Sequence, residues 1–299
     1  MAHVVDETYL PFTDDELRPH FIADVEGQIA YYRKSADRYH EFLSEHPDTS
    51  GIPLTRARAP RQIETDERFW TITALKRLFD DSSRDSLLTA LLKETFGDAP
   101  PVPGLGSWRE CLSGDLRLYF EACLPSPPSY VEWLRTNLPS QQVVPYVRDA
   151  ARRESARTLE GATHVDALFL NLSNGFAWLI EAKVLSDVSY SISFDSYRNQ
   201  IARNLDVMLD NMSQPGAGLE ARNPSRSLFA LLTPGGFKRN PSSRLYGWLI
   251  QEYQSDPKSL RRDLGHRNEF DWTGLSKRIG WFTFDDVEKL RPGTCTWPL

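Results

Sequence analysis

The sequence predicts an α/β fold, a mixed central sheet flanked by helices, with an N-terminal helical region ahead of it. Three observations carry this. Helical apolar spacing alternates with short β-rich runs from about residue 146 onward. The stretch HVDALFLNLSNGFAWLIEAKV, residues 164–184, is two apolar runs about a Ser-Asn-Gly turn. A helical pattern, YRNQIARNLDVMLDNM, and another β-rich run, SLFALLT, then follow in that order. The chain has 299 residues, 40% hydrophobic and 25% charged, enough to bury a sizeable core.

Taken in order, the first helical pattern runs from Asp24 to Phe42, and LTRARAPRQ at 54–62 reads as a linker. Phe69, Ile72, Leu75, Leu78 and Phe79 recur at helical spacing. RDSLLTALLKETF makes a further helix, preceded by the capping candidates Ser82 and Ser83 and stopped by Gly97. The Pro/Gly-rich GDAPPVPGLGS is the clearest break, dividing a helical region, 1–100, from the remainder, 101–299. DLRLYFEACL alternates enough to be a strand, and PSPPSYVEWLRTNL reads as a loop entering a short helix. VVPYVRDAARRESARTL, residues 143–159, is helical with its arginines outward. Beyond SLFALLT come helices around RLYGWLIQEY and PKSLRRDL, a strand RIGWFTF and a closing helix FDDVEKL.

Net charge is −6, and most of the acidity lies in the first 100 residues, where 19 Asp and Glu face 12 Lys and Arg. The remainder is close to neutral, with basic stretches at Arg148–Arg157, Lys238–Arg244 and Lys258–Arg267. That balance argues against non-specific coating of DNA and leaves an anionic substrate open. The acidic N-terminal helices offer a surface for a protein partner or a second copy of the chain. Cys111, Cys123 and Cys295 are odd in number and widely spaced, which argues against a zinc site or a disulfide framework. No GxxxxGK[ST] loop, GxGxxG loop or paired-histidine spacing occurs. No stretch has the pattern of a signal peptide or the length of a membrane span, so a soluble, cytoplasmic protein with no membrane partner is expected.

The charges inside residues 164–184 need a reason. Side chains alternate along a strand, so Glu181 and Lys183 share a face. A two-residue turn at Ser173–Asn174 puts Asp166 opposite Glu181, whereas a turn at Asn174–Gly175 puts it opposite Lys183. Either register brings the three charges together, and a three-residue loop does not. The apolar flanks predict a buried strand, where an isolated charge is costly and must be paired or ligated. Two carboxylates beside an ammonium make a hard-oxygen site suited to Mg²⁺ or Mn²⁺, and such an ion assists attack on a phosphodiester. The competing reading is a structural charge cluster.

With Asp166, the hairpin and Glu181-Ala182-Lys183 in view, the chain resembles the PD-(D/E)XK nuclease superfamily, the restriction-endonuclease-like fold. The resemblance covers a core of about 146–233 and implies a Mg²⁺- or Mn²⁺-dependent endonuclease acting on nucleic acid, DNA ahead of RNA. It implies that Asp166, Glu181 and the Ala182 backbone carbonyl bind the metal and that Lys183 assists the attacking water. Gln200 in the following helix matches that family's polar residue, with Arg203 and Asn204 one turn on. Glu154 matches an accessory glutamate of the preceding helix, and Glu160 matches it less well. The proline before the aspartate in that family is Val165 here, and no strand can be assigned between the helix at 143–159 and the Asp166 strand.

Overall fold

A computed structural model describes residues 11–45, 63, 65–141, 145, 160–188, 198–211 and 218–295. Five β-rich runs become strands of one sheet, β1 (Leu116–Leu124), β2 (Thr163–Asn171), β3 (Ala177–Ala182), β4 (Ser227–Thr233) and β5 (Ile279–Thr283), paired in sequence order. β1–β2 and β2–β3 are antiparallel, whereas β3–β4 and β4–β5 are parallel. The mixed sheet flanked by helices is therefore as the alternation predicted. The inner strands β3 and β4 are buried along their whole length, which explains their unbroken apolar character.

Helices cover both faces. On one lie α1 (Val25–Glu45), α2 (Glu67–Phe79) and α3 (Arg84–Phe96), whose Tyr32, Phe69, Leu75 and Leu91 join Phe120, Phe169, Trp178 and Phe282 in one cluster. The N-terminal helices thus share the core of the sheet. α4 (Pro128–Gln141) carries a separate small cluster of Tyr130, Leu134 and Leu138, while on the other face lie α5 (Gln200–Met208), α6 (Leu245–Ser255) and α7 (Pro257–Asp263). Ile201, Leu205, Leu249, Tyr253 and Leu260 pack there against Leu168, Leu179, Phe229 and Leu231. The sequence led to a short helix at α4, and the structure gives it 14 residues. The helix expected over 143–159 lies outside the described residues, as do the linker at 54–62 and Glu154. DLRLYFEACL, read as a strand from its alternation, is β1, antiparallel to β2.

The hairpin settles the register. Asn171 N donates to Phe176 O at 2.8 Å and Gly175 N to Asn171 O at 2.9 Å, so the loop holds four residues, Leu172–Gly175. An even count keeps the register of a Ser173–Asn174 turn, with Ala167 opposite Ile180, and excludes the register centred on Asn174–Gly175. Asn171, fully buried, pins the loop by donating to Cys111 O and Ser113 O and accepting from Ser173 N. Gly175 closes the loop at φ +76°, where a Cβ would stand 2.9 Å from Ala221 O.

Candidate active site

The β2–β3 ladder runs from Leu170 opposite Ala177 to Ala167 opposite Ile180 and ends there. The next position along places Asp166 across from Glu181. In place of a ladder bond, Asp166 Oδ2 accepts from Ala182 N at 2.6 Å. β3 meanwhile stays tied to β4, with Lys183 N donating to Leu232 O at 2.9 Å. The pairing therefore gives way at the position that carries the acids.

Glu181 and Lys183 are 1% and 7% exposed. Lys183 Nζ donates to Glu181 Oε1 at 2.7 Å. α5 supplies the other partners. Asn199 caps the helix by accepting from Ala202 N, which fixes where its first turn begins. From that turn Gln200 Nε2 donates to Glu181 Oε1, and Asn204 Nδ2 donates to Glu181 Oε2 at 3.0 Å. Gln200 and Asn204 are four apart and so share a helix face. Asn204 Nδ2 also donates to Gln200 O, which fixes the amide orientation, and its buried Oδ1 has no hydrogen-bond partner among the described residues.

A further acid joins from β1. Phe120 is opposite Ala167 and Ala122 opposite Val165, so Glu121 stands across from Asp166. Its φ of +51° is in the left-handed region, rare for a side-chain-bearing residue and worth about 1–2 kcal/mol of strain. Burial pushes the Glu121 carboxyl up to about 7, with Arg68 opposing and Glu181 adding to the rise. Burial, followed by the charge of Glu181, holds Asp166 well above the usual carboxylate range. For Lys183, burial disfavours the ammonium, but Glu181 and Asp166 outweigh it and raise its pKa above the ordinary lysine value. Lys183 is consequently a charged donor at neutral pH.

The cluster opens onto a cleft of about 420 Å³ lined by Thr65, Asp66, Glu67, Arg68, Glu121 and Asp166. The first four belong to the approach to α2 and its first turn. Asp66 caps α2 by accepting from Arg68 N, and Ser186, three residues past Lys183, donates to Glu67 Oε1. One wall of the cleft is thus built by the N-terminal region.

Of the residues singled out in the sequence, Asp166, Glu181, Lys183 and Gln200 come together, and Ala182 lies among them as donor to Asp166. Arg203 does not join them. Its guanidinium pairs with Glu160 at 2.9 Å, and Glu160 also takes Arg198 at 3.0 Å. Glu160 is 7% exposed and enclosed in that ionic network, away from Glu181. The buried acid and the two arginines are committed to one another, which keeps Arg203 and Glu160 out of the Asp166–Glu181–Lys183 group. Sequence reasoning missed Glu121, Asp66, Glu67 and Arg68. Glu121 had one signal, a lone acid inside the apolar strand LYFEACL.

Among the described residues, no group of three or more His, Cys, Asp or Glu side chains is close enough to hold a metal ion, and no helix is long and apolar enough to cross a membrane. No protein-family model, curated protein or solved structure matches this chain.

Proposed function

We propose that this protein is a metal-dependent nuclease of the restriction-endonuclease-like type, hydrolysing phosphodiester bonds in nucleic acid, with DNA the first substrate to test. One observation carries the reading. Asp166 and Glu181 face each other where the β2–β3 ladder ends, Lys183 is on the carboxylate of Glu181, and the group borders an open cleft.

The residues fit a hard divalent cation. Asp166, Glu181 and Glu121 crowd acids around one lysine, and Asn204 Oδ1 is a buried acceptor without a donor among the described residues. Mg²⁺ needs only one or two carboxylates and keeps several waters, so the lack of a three-ligand group does not count against it. Asp166, Glu181 and the Ala182 carbonyl would hold the ion, which would lower the pKa of a bound water and stabilise charge on the phosphate. The remaining work belongs to the chain. Glu181 keeps Lys183 charged and oriented, so its ammonium holds an oxygen of water or phosphate by donation rather than by removing a proton. Gln200 and Asn204 fix the rotamer of Glu181, and Ala182 N fixes that of Asp166.

A non-cleaving reading also has an observation in its favour. Both oxygens of Glu181 are already bonded by this chain's own side chains, as in a charge cluster that only stabilises the fold. A protein of the same fold that binds nucleic acid or a protein partner would need nothing more. The test is incubation with plasmid, single-stranded DNA and RNA in Mg²⁺, Mn²⁺ or EDTA, alongside Asp166→Ala and Lys183→Ala. Cleavage that needs the ion and is lost in both variants is expected. Cleavage surviving both substitutions sinks the assignment, and binding without cleavage in either metal selects the alternative.

A further inference from the structure

The N-terminal region brings a cation to the cleft that the reaction described above does not use. Arg68 lines the cleft with Asp166 and Glu121. One edge of its guanidinium is committed to Asp66, Nε to Oδ1 at 2.9 Å and Nη2 to Oδ2 at 2.7 Å. Nη2 also bonds the Tyr31 hydroxyl, and the group stacks over the Tyr31 ring at 3.9 Å from its centroid. Nη1 has no hydrogen-bond partner among the described residues. The side chain keeps about a third of its surface exposed, at 31%. A guanidinium braced on one edge and one face, with two N–H groups left over at a cleft, has already lost the rotamer freedom that binding an anion would otherwise cost.

The charges around it call for such a group. Asp66, Glu67 and Glu181 are acids in or beside this cleft, against the cations Arg68 and Lys183, and Lys183 shares its ammonium with Glu181. A polyanion approaching that set meets repulsion unless a donor takes its phosphate oxygens. We propose that Arg68 is a phosphate-binding residue of this site, using Nη1 to hold a backbone phosphate of the nucleic acid while Asp66 and Tyr31 brace it. This rests on the nuclease reading for the identity of the anion, not for the donor geometry.

The test separates the two. Binding of a short fluorescein-labelled duplex, its single strand and the matching RNA is followed by anisotropy, with Ca²⁺ as the divalent cation, for the full chain and Arg68→Gln over a range of salt. Cleavage of the same probes is followed separately in Mg²⁺. Loss of one charged contact is expected to weaken binding roughly tenfold or more and to lower the slope of log affinity against log salt by about 1. A purely structural brace would lower the melting temperature and leave that slope alone. If Arg68→Gln melts below the assay temperature, Arg68→Lys replaces it. That variant keeps the charge and surrenders the fork, so the slope should persist while affinity falls several-fold. Wild-type affinity and slope in a folded variant overturn the proposal and leave the nuclease reading standing. Weakened binding by the variant with no cleavage by wild type keeps the contact and removes the nuclease. No binding of any probe by wild type removes both.

Discussion

Lys183→Met removes the cation bonded to Glu181 and keeps most of the side-chain volume. At 2.7 Å and an effective dielectric of about 20, the gross attraction is about 6 kcal/mol. Desolvating the ammonium offsets part of that, and breaking a buried pair by deleting one partner costs about 3–5 kcal/mol. Glu181 retains Gln200 and Asn204, which places the expectation at the lower end, about 3 kcal/mol. The lysine's folded pKa is raised, so its contribution is fully present at neutral pH and is lost only as pH rises through the folded value. Without Lys183 the charge of Glu181 beside Asp166 is relieved by protonating Asp166, whose carboxyl already holds its proton more tightly than usual, so the deficit should shrink on acidification. Urea unfolding followed by tryptophan fluorescence, at neutral pH and near pH 5, measures both effects. In a double-mutant cycle, Lys183→Met in a Glu181→Gln background should cost much less than in wild type. A deficit below about 1 kcal/mol at neutral pH, or an equal cost in both backgrounds, would refute the claim that these charges form a buried coupled pair.

Two further substitutions probe the surroundings. Glu121 titrates at about 7 in the fold against 4.5 unfolded, so the native state binds more protons between those values and its stability falls as pH rises through them. Glu121→Gln should therefore gain about 1–2 kcal/mol over wild type at pH 8 and little at pH 4, a figure discounted for the cleft's access to water. Paired melts in EDTA read this out, and a gain independent of pH would contradict it. Gly175→Ala should cost about 2 kcal/mol or more, because φ of +76° and a Cβ 2.9 Å from Ala221 O both oppose it. Chemical denaturation measures the loss, and a neutral substitution would mean that the loop does not need this conformation.

Much of the site was readable because strand periodicity is rigid. Glu181 and Lys183 two apart in an apolar run had to share a face, and Asp166 then depended only on the parity of the loop. The four-residue loop has the parity of a two-residue one, so the cluster formed with Asp166 opposite Glu181. Helical spacing likewise brought Gln200 and Asn204 onto one face. It could not show that Arg203, between them in the sequence, would turn to Glu160, because that pairing joins segments 43 residues apart. The same limit hid Arg68 and Asp66. Their segment reads as the start of an ordinary amphipathic helix, and only tertiary packing brings that helix end to the sheet. Glu121 was hidden differently, since its left-handed φ breaks the strand alternation that would have been used to place it.

The position of the acids also follows from how the layers meet. α2 begins at Glu67 on one face of the sheet and α5 begins at Gln200 on the other, and both starts border the end of the β2–β3 ladder. Each helix start presents unpaired N–H groups and the positive end of a helix dipole. Two such ends lower the cost of gathering Asp166, Glu181 and Glu121 in a half-buried place that one lysine cannot neutralise. The N-terminal helices are then more than a cover for Phe120, Phe169 and Trp178. They supply one of the two helix ends, one wall of the cleft and, in Arg68, a cation beside the acids. A chain beginning after Gly97 would keep every residue of the Asp166–Glu181–Lys183 cluster and lose both the apolar layer beneath it and half of the field around it.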